Sequence, residues 1–420
     1  MKSKTNIIYC GDSKFVLEHD LFDRQIKVDL IYLDPPFFTE KIQKGKVWMP
    51  EAMEMSYNDS KQFWASHSEA VWRKAPQWLK DLAVERPAFA SYLYYMMERL
   101  EWCKSVLKDT GSIYLHCDYR ASHYLKMIMD KIFGVENFRN EIVWCYRGGG
   151  VPKDSFARKH DIIFFYSKSN NFIFNIQYVP YSESSQKLVK SRDGVSIDGK
   201  ERNLERGAHM PDWWIDMNSL QTWSPERMGY PTQKPLALLE RIIKASSNEG
   251  DIVLDPFCGC GTAIVAAETL KRRWIGIDIN PDACKLMQKR FKQHNVDVEI
   301  CWRDNETIEK MNPIEFERWV NEFMEAEKPM PDSGVDGITK NGIPIQTKTF
   351  VVGYKYVSQF LSDIEYHPKV PKPIKTGIIV SQKGFDSSAI SRVYQIEQNE
   401  KIKIKLVTPK DLIPQSQRGE

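Results

Sequence analysis

Val28-Asp29-Leu30-Ile31-Tyr32-Leu33 is apolar at five of its six positions and runs straight into Asp34-Pro35-Pro36-Phe37. A run without polar alternation has no face to give to water. It predicts a strand in the middle of a parallel sheet, covered on both sides by helices. The two prolines stop it, because neither can donate to a ladder. The flanking sequence keeps the same rhythm. Asn6–Cys10 predicts a short strand ending in Gly11-Asp12, and Tyr92–Val106 has helical spacing. A turn is predicted at Asp109-Thr110-Gly111, then a strand over Ser112–His116, a helix over His123–Phe133 stopped by Gly134, and strands over Glu141–Tyr146 and Asp161–Tyr166.

Periodicity lapses between residues 170 and 228, where Ser, Asn, Asp, Lys, Arg and Trp dominate. It returns with a helix over Leu236–Ala245, a strand over Ile252–Leu254, a glycine-rich turn, a helix over Ala263–Leu270 and a strand over Trp274–Ile277. This alternation predicts an α/β fold with a doubly wound, mostly parallel sheet. A chain of 420 residues has room for two or three domains. The polar stretch Arg303–Pro313, with its Asn312-Pro313 step, divides it into residues 1–305, carrying the insert 170–228, and residues 313–420. The second part is expected to be a smaller α/β unit opening with a helix over Ile314–Glu325.

Composition narrows the setting rather than the function. A net charge of +3 does not by itself demand a nucleic-acid partner, so phosphate-binding cations would have to be gathered locally. No apolar run approaches the roughly 20 residues that span a bilayer, so no membrane partner is expected. Met1-Lys2-Ser3-Lys4 leads directly into strand-like sequence without a signal-peptide core. Among the eight cysteines, Cys258 and Cys260 have no second pair or histidine cluster to complete a zinc set. They read as reduced, buried small residues, which fits a cytoplasmic, reducing compartment. Nothing here argues against a homodimer.

Two motifs carry chemistry. An aromatic amine is a poor nucleophile because its lone pair is delocalised into the ring. The Asp34 carboxylate and the Pro35 carbonyl form an acceptor pair suited to both amine hydrogens, which would localise that lone pair. Pro35 and Pro36 hold the carbonyl rigidly, and Phe37 offers a face for a base to stack on. Read structurally, the same residues are a strand-ending turn. The second motif is Asp255-Pro256-Phe257-Cys258-Gly259-Cys260-Gly261-Thr262, placed between a strand and a helix. Glycines there allow close backbone approach to a ligand, and the helix start offers free N–H groups. The next strand ends in Asp278, positioned to hold ribose hydroxyls.

These residues resemble the amino-group (N6-adenine/N4-cytosine) DNA methyltransferases, in which an Asp-Pro-Pro-aromatic motif is catalytic and an Asp-x-Phe-x-Gly-x-Gly-Thr motif binds S-adenosylmethionine. The resemblance spans Asn6 to Arg303. It implies catalytic roles for Asp34, Pro35, Pro36 and Phe37, and cofactor roles for Asp255, Phe257, Gly259, Gly261, Thr262 and Asp278. Tyr230-Pro231-Thr232-Gln233-Lys234-Pro235 resembles a further cofactor motif, which implies that Thr232 and Lys234 meet the methionine carboxylate. Gly11-Asp12 matches a position that contacts the cofactor's adenine. The catalytic motif precedes the cofactor motif, as in the family's β-group, and the intervening insert is expected to read double-stranded DNA. The implied activity is methylation of adenine N6 in a restriction-modification setting. Cytosine N4 is the alternative, since enzymes of that kind more often carry Ser in place of Asp34.

Other positions stay open. His116 and Asp118 read either as lining of a base pocket or as satisfied strand-end residues. Phe156-Ala157-Arg158-Lys159-His160-Asp161 reads either as a phosphate contact or as a solvated loop. In the insert, Lys187, Lys190, Arg192, Lys200, Arg202 and Arg206 are interleaved with Asn203, His209, Trp213, Trp214 and Trp223. The cations and amides suit phosphates and base edges, and the tryptophans suit either recognition or a small core. The C-terminal part resembles a Mrr-type restriction-endonuclease-like domain, through Glu317 on its first helix, Asp336 before a turn, and Gln346 and Lys348 on the next strand. That resemblance implies Mg²⁺ at Asp336, Lys348 beside the attacking water, and DNA cleavage. A DNA-binding domain without cleavage is the other reading. Gln346 departs from the acidic residue that this fold more generally carries there.

Overall fold

The computed structural model describes residues 5–47, 53–66, 71, 73–148, 152–190, 206–221, 224–230, 232–293, 295–303, 308–309, 311–324, 326–329 and 334–412. The chain divides into two compact units, residues 1–9 with 13–300, and residues 10–12 with 301–420. No helix among the described residues is long and apolar enough to cross a membrane.

In the first unit the strands are β1 (Ile7–Cys10), β2 (Val28–Leu33), β3 (Lys41–Val47), β4 (Met53–Asp59), β5 (Leu107–Cys117), β6 (Phe138–Cys145) and β7 (His160–Ser167). They are followed by β8 (Tyr178–Val179), β9 (Ala208–His209), β10 (Trp213–Trp214), β11 (Ile252–Asp255), β12 (Arg273–Asp278) and β13 (Glu299–Trp302). Nine of them form one sheet in the order β10-β6-β7-β5-β2-β11-β12-β1-β13. From β2 the chain adds β5, places β6 two positions further out, fills the gap with β7 and the edge with β10, then returns to β2's other side with β11 and β12. β2, β5, β11 and β12 run parallel, and the antiparallel pairs β5–β7 and β6–β7 lie to one side.

All six residues of β2 are buried, as its unbroken apolar run requires. Its one polar residue, Asp29, is satisfied rather than exposed. Lys108 Nζ donates to both carboxylate oxygens at 2.7 and 2.9 Å, and the Ile252 backbone N–H donates at 2.9 Å. This arrangement explains the clearest departure from the sequence expectation. The turn predicted at Asp109–Gly111 is instead a bulge inside one eleven-residue strand, β5. Val28 pairs with Leu107, and two residues later Leu30 pairs with Ser112. The extra residues bring Lys108 to Asp29. Gly111 passes so close that a Cβ there would sit 2.9 Å from the Asp29 carbonyl oxygen and 2.6 Å from the Leu107 side chain.

The helices Pro87–Val106, Ser122–Phe133, Leu236–Ser246, Thr262–Thr269 and Pro281–Gln293 fall close to their expected places or add to them. Ser122–Phe133 ends at Gly134 with φ 95°, a conformation glycine adopts without strain. β3 and β4, which the sequence did not suggest, form a separate antiparallel hairpin. In the insert, β8 and β9 pair antiparallel and β10 adds a parallel edge to β6. Trp214 packs there nearly buried, while Trp213 is 54% exposed. Lys187, Arg206 and His209 are exposed. Arg192, Lys200, Arg202, Asn203, Trp223 and the Lys190 side chain lie outside the described residues. All eight cysteines are free, and all but Cys145 are buried.

The second unit contains β14 (Ala326–Glu327), β15 (Gly337–Thr339), β16 (Pro344–Lys348), β17 (Thr376–Ser381) and β18 (Lys403–Val407), in that spatial order. β15 and β16 form an antiparallel hairpin, and β16, β17 and β18 are parallel. The helix Pro313–Phe323 shares a core with Ile378 and Val380 of β17. Ile379 joins the core made by the helices Tyr354–Tyr366 and Ser387–Glu400. An unbroken apolar strand thus feeds two opposite faces, which is why β17 carries no polar alternation.

Gly111→Ala is expected to lower stability by about 1–3 kcal/mol, the usual cost of overpacking. Denaturant unfolding of the variant beside the parent measures it, and an unchanged midpoint would contradict the close approach.

Candidate active site

The parallel pairing of β2 with β11, where the order of strand addition reverses, places two loops side by side at the carboxyl ends of these strands, where open parallel sheets bind their ligands. Val253 pairs with Leu30 and Leu254 with Ile31, so the two strands leave the sheet together. Asp34 follows β2, and Asp255 closes β11. Asp278 closes β12, whose register sets Asp255 opposite Gly276.

The glycine turn after β11 is held by the next strand. Asp278 accepts hydrogen bonds from the Gly259 N–H at 2.7 Å and the Asn280 N–H at 2.8 Å. Gly259 and Gly261 have φ of 50° and 79°, and Gly261 caps the helix Thr262–Thr269. A Cβ on Gly259 would come within 2.9 Å of the Tyr230 ring, so the loop needs glycine for space as well as for conformation. Burial pushes the Asp278 carboxyl up to about 6, against the two N–H donors that favour its charge. Asp255 is buried, with one oxygen taken by the Phe257 N–H at 3.0 Å. Burial raises its carboxyl well above the usual range, and the charges of Asp34 and Asp278 add to the effect. Phe257 sits near Tyr95, ring centroids 6.3 Å apart. Asp12 follows β1, partly buried.

The loop before the helix Leu236–Ser246 reaches back to Asp34. Lys234, 8% exposed, donates to both Asp34 oxygens at 2.7 and 2.6 Å, and its ammonium lies 4.9 Å from the Phe37 ring centre. The sequence resemblance sent Lys234 and Thr232 to a cofactor carboxylate, whereas here Lys234 neutralises the carboxylate of the Asp-Pro-Pro-Phe motif. Gln233 shapes this loop, its amide bridging the Met228 N–H and the Glu226 carbonyl at 2.8 Å each. Thr232 within it holds φ 61°.

Beside Phe37 opens a cavity of about 460 Å³, within the roughly 300–1,000 Å³ typical of small-molecule sites. Lys234, Asp118, Tyr146, Arg158 and Asp161 are among its lining. His116, the residue the sequence offered as a pocket group, is fully buried beneath it. Its ring is hydrogen-bonded to Tyr32 Oη at 2.8 Å and to Asp161 Oδ2 at 3.1 Å, and it packs against Phe37 and Trp144. Tyr146 Oη donates to Asp161 Oδ1 at 3.0 Å. Burial alone would raise the Asp161 carboxyl. The His116 hydrogen bond and charge, the Lys234 charge and Tyr146 outweigh burial and hold it below the ordinary value of 3.8. Asp118 does line the cavity, bonded to Arg120, and burial raises its carboxyl. The sequence reading missed Tyr146, Tyr119, Arg120 and Arg227, which have no motif and reach the cavity only through the fold.

In the second unit the β15–β16 hairpin turns between Thr339 and Gly342 and sets Asp336 beside Gln346. The Asp336 N–H donates to the Ile345 carbonyl, and Asp336 Oδ2 accepts from Thr347 N at 2.7 Å and Thr347 Oγ1 at 3.0 Å. Gln346 Oε1 is buried without a hydrogen-bond partner. Glu317 pairs instead with Lys328 at 2.6 Å. Among the described residues no three His, Cys, Asp or Glu side chains cluster as a metal site. The expected Mg²⁺ position at Asp336 is corrected accordingly: one carboxylate, already engaged by Thr347, does not fit a resident cation.

The first unit thus has the features of an α/β enzyme with a glycine-turn ligand site next to an Asp-Pro-Pro-Phe loop. The DNA methylase family (N6/N4 type) matches residues 28–289, and the chain belongs to it. A second family model, the RNA cap guanine-N2 methyltransferases, matches residues 250–361 and crosses the division between the two units. The Type II methyltransferase M.HpaI of Haemophilus parainfluenzae is 34% identical over 48% of this chain and 60% of its own length. The Type II methyltransferase M.EcaI of Enterobacter cloacae is 29% identical over 63% of this chain and 65% of its own. The chain therefore spans less than two thirds of these two relatives. The DNA adenine methyltransferase YhdJ of Escherichia coli is 30% identical over 63% of this chain and 76% of its own length.

His116→Leu should destabilise the fold by about 1–3 kcal/mol at neutral pH, because Tyr32 and Asp161 lose a buried partner. The lowered Asp161 carboxyl contributes stability above its unfolded value of 3.8 and loses it as pH falls through the folded value. The gap between variant and parent should therefore narrow on acidification below 3.8, as read by urea unfolding across pH. A pH-independent gap would show that Asp161 does not depend on His116.

Proposed function

We propose that this chain transfers a methyl group from S-adenosylmethionine to adenine N6 in double-stranded DNA, as the modification component of a restriction-modification system. The observation that carries this reading is the Asp34-Pro35-Pro36-Phe37 loop, facing a base-sized cavity beside the Gly259–Gly261 cradle. Support for adenine comes from the acidic residue at Asp34 and from the name of the Escherichia coli relative. The positive-φ glycine turn, leading into a helix start and tied to a strand-end carboxylate, fits the cofactor. The Thr262–Thr269 helix start and Asp278 would hold it, with Asp255, Phe257, Gly259 and Gly261 at the turn and Asp12 and Thr232 at the ends.

When bound, S-adenosylmethionine supplies a methyl on a sulfonium sulfur, open to in-line attack without a covalent enzyme intermediate. The rest falls to the chain. A paired base hides its amine, so the nucleotide has to leave the stack and enter the cavity. Phe37 stacks on it. Asp34 and the Pro35 carbonyl accept the two amine hydrogens and turn the lone pair toward the methyl. Lys234 donates to both Asp34 oxygens in this structure, and each oxygen keeps a second lone pair with which to accept from the amine. Asp34 is then placed to take the proton that the methylated amine sheds.

Asp34→Ala should lower the methylation rate by roughly 10²–10³-fold or more, the scale of losing a fixed transition-state acceptor. Calorimetry should find S-adenosylmethionine affinity nearly unchanged. Sequencing that reads modified bases, on DNA from cells expressing the chain, names the base and position. N4-methylcytosine would replace the adenine reading, and a normal rate in the variant would remove Asp34 from catalysis.

For the second unit we infer a restriction-endonuclease-like domain that acts on DNA. The β15–β16 hairpin supports this, since it sets Asp336, Gln346 and Lys348 along adjoining strands. The donor set gives no ground for routing a step through Mg²⁺. Purified protein incubated with unmethylated DNA in Mg²⁺ or Mn²⁺, beside Asp336→Ala and Lys348→Ala, decides the matter. Cleavage by the parent alone identifies a nuclease, and intact DNA throughout reduces the unit to binding.

A further inference from the structure

We propose that Phe156 is a wedge that enters the base stack of duplex DNA where the target nucleotide has been flipped out. The inference rests on the methyltransferase reading and adds to it the residue that holds the gap open. Phe156 is 98% exposed, more than any other large apolar side chain among the described residues. It lies on the loop joining β6 to β7. The base of that loop is closed. The Tyr146 N–H donates to the Lys159 carbonyl at 2.9 Å, and the Lys159 ammonium binds the Gly148 carbonyl. Residues 152–158 are all exposed.

The loop's place gives the ring a purpose. Tyr146, Arg158 and His160, at its base, line the cavity beside Phe37. Arg158 lies over the Tyr119 ring at 4.2 Å. Phe156 is two residues from Arg158, within about 7 Å along an extended chain. A base lodged in the cavity leaves a hole in the duplex within that reach, and inserted apolar side chains fill such steps in proteins that distort DNA. Lys153 and Arg158 flank the ring with cations suited to the phosphates on either side.

A protein-docking surface explains the ring less well. Its neighbours Asp154, Ser155, Ala157 and Arg158 are polar or small, so it stands alone rather than in an apolar patch of the kind that binds proteins. A core role is ruled out by its exposure.

The test uses duplexes with 2-aminopurine at the methylated position, together with single-turnover methylation. Phe156→Ala should lose the fluorescence rise that reports flipping, and should methylate matched duplex roughly tenfold more slowly, since unstacking is no longer compensated. Phe156→Trp should retain both. A mismatch opposite the target makes flipping easier, and there Phe156→Ala should recover to within about threefold of the parent. S-adenosylmethionine affinity should match in all three proteins. Parent-like flipping by Phe156→Ala, or an equal deficit on matched and mismatched DNA, overturns the wedge. If the parent itself methylates no duplex, the methyltransferase reading falls, and the wedge with it.

Discussion

The parallel pairing of β2 with β11 is the constraint on which the site depends. The Asp-Pro-Pro-Phe loop and the glycine turn are far apart in sequence and meet only because Leu30 and Ile31 lie against Val253 and Leu254. That pairing in turn needs Asp29, the one charge in β2, to be satisfied inside the sheet. The β5 bulge brings Lys108 to one side of it, and the Ile252 N–H approaches from the other. A buried carboxylate without such partners would carry a heavy desolvation cost. Here it ties three neighbouring strands together at the end of the sheet away from the active site.

At the functional end the electrostatics are lopsided. Asp34, Asp255 and Asp278 all stand at strand ends, and Lys234 is the cation in direct contact with one of them. Burial raises Asp255 and Asp278, so this edge tolerates its crowding of carboxylates partly by holding their protons more tightly. Lys234 also feels Asp161, which extends its influence into the cavity. One ammonium therefore links the Asp34–Phe37 loop, the cavity wall and the loop stapled by Gln233.

The sheet was legible because buried parallel strands leave a signature that needs no context. β2, β11 and β12 appear in the sequence as short apolar runs with a loop motif at each end. The β5 bulge was not legible, since Asp109-Thr110-Gly111 is ordinary turn chemistry and only the neighbouring Asp29 converts it to something else. Asp34, Asp255 and Asp278 could be picked out by spacing, yet the Lys234–Asp34 pair could not, because the two residues lie on separate loops. At His116 the structure decides between the two readings the sequence left open, in favour of a satisfied buried residue. A histidine at a strand end beside Asp118 invites a functional reading, but the fold covers it with Phe37 and Trp144 and leaves Asp161 to face the cavity.

The closure of the β6–β7 loop on itself bears on how such a molecule can change over generations. Tyr146 and Lys159 fasten its base, so residues above that fastening can be lengthened, shortened or replaced without disturbing strand register. The insert is fastened at more points, among them the two-residue β10 on β6, the Ile173 N–H on the Thr110 carbonyl, and the Phe172 and Phe174 rings against Phe165. The Asp34–Phe37 and Gly259–Gly261 loops, seated at the ends of β2 and β11, have no such freedom.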